Sequence, residues 1–304
     1  MQTLERTGYG SLFNNLQYDE KRIKKSAKNE YGIEKIRKEI GFYRYLLEND
    51  NGFPIPFFYH IGNTEYIMKY YKEYQPLYKV YSMMSQLEKD SVLNKVFKHL
   101  HTLHRSEIHR VPKETIKRDL EIETCDKILT RFKEVSDVLE PYFHIQTVNG
   151  IQLQSFDTIM KKIQRKIHEY ISSTEDFIYT PIHGDCQFNN ILYKKETDHL
   201  IFIDPRGYFG NSLLLGMPEY DLAKVHFALS GYDIFDSMTV DTLEIKGDEL
   251  TLPQIYLEDF FLQGHTIIPY LVVSIWLGNP HCFKNNPAKA AFSYYYGLYL
   301  GTLI

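Results

Sequence analysis

The chain is short of the residues that mark several function classes. Cysteine is scarce: Cys125, Cys186 and Cys282 are the only three in 304 residues. They are odd in number, far apart and without C-x-x-C spacing, which argues against a disulfide framework or a thiolate zinc site and fits a reducing compartment. Long apolar runs are also missing. The longest, Ile267 to Leu277, contains Pro269 and is too short to span a bilayer, and the opening MQTLERTGYG holds no apolar signal core. Nor is there a surplus of positive charge. Lys and Arg number 35 against 39 Asp and Glu, a net −4, so neither nucleic acid nor an anionic membrane is attracted electrostatically. The expectation is a soluble cytoplasmic protein with no nucleic-acid partner and no membrane insertion. Tryptophan occurs once against 25 tyrosines, a bias that coding composition explains as readily as function.

What is present is an ordinary globular balance, 43% hydrophobic and 24% charged, in a chain long enough for one large domain or two modest ones. The stretch His183 to Gly207, HGDCQFNNILYKKETDHLIFIDPRG, is the most informative. Asp185 stands five residues before Asn190, and the apolar run Leu200 to Ile203 delivers a second carboxylate, Asp204. Ile191 to His199 reads as a strand, a polar turn and a return strand. Such a hairpin would bring Asp204 back beside Asp185 and Asn190. Two carboxylates and an amide suit a hard cation such as Mg²⁺ bridging nucleotide phosphates, with one carboxylate left to take a proton. The bland reading makes Asp185 and Asn190 turn residues and Asp204 a strand-end cap. The joint spacing favours the site.

Along the chain, the first seventy residues differ from the rest. Gly8 to Asn15 is a polar turn that could sit over phosphates, Lys21 to Ser26 a lysine-bearing strand, and Glu34 to Glu48 a helix with Ile36, Ile40, Tyr43 and Leu47 at helical spacing. Tyr66 to Met68 reads as another strand. Beyond Pro76 helices dominate: Val92, Val96, Leu100 and Leu103 line one, and two or three more fill Glu114 to Ser172, interrupted near Pro141 and Gly150. Pro218 to Leu229 begins with proline and acids, a good helix start, and Ile255 to Ile304 is helical and aromatic. The class is α+β, with a small strand-rich lobe over residues 1–71 and a larger helical lobe over 72–304.

His183-Gly184-Asp185 with Asn190-Ile191-Leu192, then Ile203-Asp204-x-x-Gly207, resembles the kinase-like phosphotransferases that include aminoglycoside phosphotransferases and choline kinases. Leu100-His101-Thr102-Leu103-His104 and Tyr220-Asp221-Leu222-Ala223 also look like that family. The resemblance implies a bilobal protein-kinase-like fold and an ATP- and Mg²⁺-dependent transfer of the γ-phosphate to a small-molecule hydroxyl. It implies that Asp185 accepts the hydroxyl proton, that His183 braces the loop, that Asn190 and Asp204 hold the metal, and that Asp221 supports the loop. Positioning and charge neutralisation dominate this chemistry.

The nucleotide-facing expectations rest on fewer residues. A phosphate lysine follows an apolar residue on a strand; Ile23-Lys24 satisfies that, with Lys25 its rival. Glu39 is the natural ion-pair partner and Glu34 the second. Gly10 and Ser11, in Gly8-Tyr9-Gly10-Ser11, would face phosphates, although Phe13 stands where a third glycine belongs. Met68 to Tyr71, with Met68 and Tyr70 foremost, would be the hinge whose backbone meets the purine. His101 and His104 read as hydrogen-bonded core histidines, Cys186 as a packed residue, and Tyr294 to Tyr296 with Tyr299 as core.

Arg206 is the individual feature of the segment. It could contact a phosphate, an anionic sugar substituent or the Asp221 carboxylate, and IDPRG with the later SGYD resembles relatives in bacterial surface-glycan and capsule synthesis. A sugar or sugar derivative is the expected acceptor. Choline, ethanolamine or an aminoglycoside is the alternative; the acids of Asp241 to Glu249 that could serve an aminoglycoside look like a charged surface hairpin. A protein acceptor is disfavoured because no A-P-E segment follows Asp204. A metal-dependent phosphoesterase would use His183 and Asp185 as ligands, but its G-N-H motif is missing. A silent nucleotide-binding regulator would lack Asp185, Asn190 or Asp204.

Overall fold

The computed structural model describes residues 2–3, 12–257 and 266–304. Two compact units result, Met1–His109 with Ile178–Val225 and Arg110–Phe177 with His226–Ile304. This partition does not follow the lobe boundary expected near residue 71. The chain leaves the first unit after His109 and returns to it at Ile178 with the hairpin segment.

The first unit opens on an antiparallel sheet. Its strands are β1 (Gln2–Thr3), β2 (Asn14–Tyr18), β3 (Arg22–Ala27), β4 (Phe58–Ile61) and β5 (Glu65–Lys69), in the order β1-β2-β3-β5-β4. Lys25 lies opposite Leu16 on one side and Tyr66 on the other, whereas Lys24 is opposite Gln17 and Ile67. Successive side chains point to opposite faces, so only one of the two lysines can face the core. Helix α1 (Glu30–Asn49) follows β3, its start fixed by the Asn29 side chain accepting from the Gly32 amide. Its apolar stripe is Ile36, Ile40, Tyr43 and Leu46, all buried. Leu47, expected on that stripe, is 54% exposed, because the buried face also takes in Glu39, Phe42 and Leu46 and so leaves Leu47 at its edge.

Helix α2 (Leu77–Tyr81) and helix α3 (Gln86–Ser106) come next. Ser85 and Glu88 form a capping box at the start of α3, and Val92, Val96, Leu100 and Leu103 line its buried face. His104 is buried as expected, but His101, one turn earlier at the edge of that face, is exposed. The hairpin then pairs Ile191–Lys194 with His199–Phe202, Ile191 opposite Phe202 and Lys194 opposite His199. Gln75–Pro76 extends this sheet against Tyr193 and Leu192.

The second unit is mainly helical. Lys113–Glu121 runs through a π-helical turn, Ile122–Asp126, into Lys127–Lys133. The helix Phe156–Ser173 buries Ile159, Met160, Ile163, Ile167 and Ile171. The helices Ile268–Leu277 and Pro287–Leu303 bury Trp276 and Tyr294, Tyr295 and Tyr296, so the tyrosine run is core as expected. A Cβ at Gly301 would lie 2.7 Å from Ile159, which shows how closely the last helix approaches its neighbour. Glu244–Lys246 and Glu249–Thr251 form the expected charged hairpin. Among the described residues no helix is long and apolar enough to cross a membrane.

Candidate active site

The loop after Ile182 is held by one buried carboxylate. Asp221, in the first turn of the helix Pro218–Leu229, has no solvent exposure. Its Oδ2 accepts from the His183 amide at 3.0 Å and its Oδ1 from the Gly184 amide at 2.6 Å. His104 Nε2 lies 3.0 Å from Oδ2, and the Cys186 thiol donates to the Asp221 carbonyl at 3.1 Å. A helix N-terminus favours a negative charge, and a buried carboxylate needs several donors; this loop supplies them. Gly184 adopts φ +76°, which a side chain there would resist. Burial pushes the Cys186 thiol well above its ordinary value, so it packs rather than reacts.

His183 is fully buried and fixed in one tautomer. Nε2 donates to the Ile203 carbonyl at 3.1 Å, while Nδ1 accepts the Asp185 amide at 3.3 Å. Burial holds the imidazole below its ordinary pKa, against the raising effect of Asp221. Both ring nitrogens are engaged within the chain. That geometry suits a brace between the loop and the hairpin, and it opposes the phosphoesterase reading, in which His183 must bind a metal.

Asp185 is gripped from two sides. Its Oδ2 accepts from Asn190 Nδ2 at 3.1 Å, and its Oδ1 lies 2.9 Å from Lys224 Nζ. Burial alone would raise this carboxyl, but the Lys224 charge and hydrogen bond, helped by His183 and Arg206, hold it below the ordinary range. The side chain keeps 30% exposure, enough for a hydroxyl to reach it. Lys224 was not foreseen. The sequence did carry a signal, because Lys224 stands three residues after Asp221 on one helix face.

The hairpin itself forms as expected. Ile203 donates its amide to the Asn190 carbonyl at 2.9 Å, so Asn190 and the residue before Asp204 are backbone neighbours across 13 positions of sequence. Asp204 adopts φ +54° and its amide donates to the Tyr43 hydroxyl at 3.1 Å. Its Oδ1 is 3.2 Å from Lys25 Nζ. Lys25 Nζ also meets both oxygens of Glu39 at 2.9 Å, and the Tyr66 hydroxyl donates to Glu39 Oε2 at 3.1 Å. Burial raises the Glu39 carboxyl, opposed by the Lys25 charge.

The nucleotide-facing expectations are therefore redistributed. The ion pair assigned to Lys24 belongs to Lys25; Lys24 lies on the other face of β3 and pairs with Glu65 at 2.8 Å. Glu39 is the partner, while Glu34 pairs with Lys38 at 2.7 Å on the exposed side of α1. Gly10 and Ser11 lie outside the described residues. At the expected hinge Met68 is buried in β5. The Tyr70 amide donates to the Lys21 carbonyl and the Lys69 amide to that of Phe57, both at 2.8 Å. Those two amides are spent within the sheet, so Tyr70 cannot offer its N–H to a purine.

Arg206 is anchored without reaching for Asp221. Nη1 donates to the Tyr220 hydroxyl at 2.7 Å, and the guanidinium lies over the Tyr208 ring, 3.8 Å from its centroid. The Lys38 ammonium lies 4.3 Å from the centroid of the same ring. Two backbone contacts hold the loop: the Arg206 amide donates to the His183 carbonyl at 2.7 Å, and a Cβ at Gly207 would be 2.7 Å from the Lys38 carbonyl.

The donor set fits Mg²⁺. Asn190 turns its amide nitrogen to Asp185, so its amide oxygen could face a cation, to which Asp204 would add a carboxylate. No group of three or more His, Cys, Asp or Glu that could hold a metal exists among the described residues. Mg²⁺ is commonly held by only one or two protein carboxylates together with substrate phosphates, and Asp204 with Asn190 would hold it in that way.

A sequence model of the ecdysteroid kinase-like family matches residues 65–214, which include Asp185, Asn190, Asp204 and Arg206. No curated protein matches the chain. The GDP and kanamycin complex of APH(2'')-IIia is similar over 99% of this chain and 91% of its own, at 15% identity and a TM-score of 0.56. The choline kinase LicA from Streptococcus pneumoniae matches over 99% and 93%, at 12% identity and 0.52. A choline/ethanolamine kinase family protein from Mesorhizobium loti matches over 99% and 88%, at 10% identity and 0.51. At these identities the likeness is one of fold, and it bears out the resemblance carried by the motifs.

Proposed function

We propose that this chain, which has the protein-kinase-like fold of aminoglycoside phosphotransferases and choline kinases, is an ATP- and Mg²⁺-dependent kinase. It moves the γ-phosphate to the hydroxyl of a small molecule, a sugar or sugar derivative. The observation that carries the reading is the hairpin register, which pairs Ile191 with Phe202 and bonds Asn190 to Ile203, the residue before Asp204, with Asp185 bonded to Asn190. Asp185 orients the acceptor hydroxyl and takes its proton. Asn190 and Asp204 hold Mg²⁺, which would draw charge from the phosphates. Lys25, fixed by Glu39, faces the nucleotide phosphates. A depressed carboxyl pKa is compatible with this role, because phosphoryl transfer asks more of positioning than of base strength.

The preference for a sugar or sugar phosphate over choline or an aminoglycoside rests on Arg206 and Lys224, two cations near Asp185. A cationic acceptor would be repelled there. A glycan or capsule pathway suits such an acceptor. The test is an ADP-release screen over sugars, sugar phosphates, polyols, choline, ethanolamine and aminoglycosides, run with and without Mg²⁺. Acceptor-dependent ADP release that needs Mg²⁺ is expected, with phosphate-bearing acceptors giving the highest kcat/KM. Asp185→Asn should cut product formation by about a thousandfold or more while nucleotide affinity stays within about threefold. Retained turnover in that variant would remove Asp185 from its role.

A further inference from the structure

We propose that Lys224 is a catalytic cation of the transfer step, contacting a non-bridging oxygen of the phosphoryl group as it moves. This rests on the kinase reading above. In that reaction the acceptor oxygen bonds to the γ-phosphorus, the bond from phosphorus to the β,γ-bridging oxygen breaks, and the hydroxyl proton passes to Asp185. Lys224 donates a hydrogen bond throughout and keeps its proton.

The geometry leads to this assignment. Lys224 Nζ is 2.9 Å from Asp185 Oδ1. A hydroxyl poised on Asp185 sits roughly 3 Å from the carboxylate, and the phosphorus it attacks roughly 3–3.5 Å beyond. An ammonium already touching the carboxylate is then within reach of the phosphoryl oxygens. Charge develops on those oxygens, and preorganised donors aimed at them are worth most where water is scarce.

Arg206, the other cation near Asp185, is turned to the Tyr220 hydroxyl and the Tyr208 ring. The residues from Asp185 to Asn190, DCQFNN, include no Lys or Arg. Lys25 contacts Glu39 and Asp204 and serves the nucleotide side in the reading above, not the acceptor at Asp185. Lys224 is 9% exposed, and its position is registered by Asp221, one helical turn earlier, which also holds the His183 and Gly184 amides. Base, loop and ammonium are thereby fixed by a single helix turn. Burial would lower the Lys224 pKa, but the Asp185 charge more than offsets it, so the ammonium stays charged.

The alternative is that Lys224 only orients Asp185. Rates with ATP and with ATPγS, whose sulfur replaces one non-bridging oxygen and weakens a lysine contact there, separate the two. Wild type, Lys224→Met and Lys224→Arg would be compared, with thermal melting as the folding check. The expected result is a kcat loss of about 100-fold for Lys224→Met with both KM values within about threefold. The ATP/ATPγS rate ratio should shrink severalfold in the same variant, and Lys224→Arg should recover much of the loss. A kcat within threefold of wild type, or an unchanged rate ratio, overturns the proposal. If Lys224→Met does not fold, the ratio in Lys224→Arg decides: a changed ratio supports the contact and an unchanged one overturns it. A wild type without acceptor-dependent ADP release would instead overturn the kinase reading, a result distinct from these.

Discussion

At the residue scale the site turns on which of two adjacent lysines faces inward. Lys24 and Lys25 both follow the expected strand pattern, and an apolar residue before a lysine favours Lys24. The alternation of the strand and the depth of Tyr66 decide otherwise: Lys25 is 5% exposed and bonded to Glu39. The sequence could not show this because neighbouring positions differ only in face, and the face is set by what α1 packs against. Lys25→Met should raise KM for ATP about tenfold or more and lower melting, since it strips a buried carboxylate of its partner at a cost of about 3 kcal/mol. Protonation of Glu39 will soften that cost, because burial already raises its pKa. Lys24→Met removes only a part-exposed pair with Glu65 and should change stability by about 0.5 kcal/mol or less, with unaltered kinetics. Initial rates and thermal melts of the two variants check both statements.

At the scale of elements, the hairpin, α1, α3 and the helix from Pro218 were legible from periodicity, caps and turn chemistry. The roles of His183 as a brace and Asp221 as loop support were implied by the family resemblance, and the hydrogen bonds of both residues fit them. What escaped was whatever depends on how elements meet: the Lys224 contact, the burial of Leu46 in place of Leu47, and the spent amides of Lys69 and Tyr70. A close approach of this kind sits at Gly207, where φ is +66° and a Cβ would lie 2.7 Å from the Lys38 carbonyl. Gly52 has φ +72° but open space around it, and so isolates backbone strain alone. Gly52→Ala should cost about 1 kcal/mol. Gly207→Ala should cost about 2–3 kcal/mol more, by adding overpacking to strain, and should lower kcat by shifting Asp204. Denaturant unfolding of the two variants measures the difference.

At the scale of the whole molecule, stability should fall in mild acid. Burial depresses His226 from 6.5 to about 4, and it lowers His183, His99 and His281 as well. A histidine with a depressed folded pKa binds fewer protons folded than unfolded between those two values. Stability therefore declines as pH falls below about 6.5 and the loss saturates below about 4, amounting for His226 to about 3 kcal/mol at most. Melting temperature should drop by several degrees between pH 7 and pH 5. His226→Asn should flatten that slope, and an equally steep slope in the variant would place the acid sensitivity elsewhere.

The hairpin between Asn190 and Asp204 also bears on how chains of this kind are found by pattern searching. Its two strands are joined rung by rung, from Ile191 with Phe202 to Lys194 with His199. Adding or removing one rung changes the gap by two residues yet leaves Asn190 bonded to the residue before Asp204. A pattern written with a fixed gap would reject such a chain, although its metal pair would be intact. The quantity to search for is the pairing of the two strands, with the gap left free to change in steps of two.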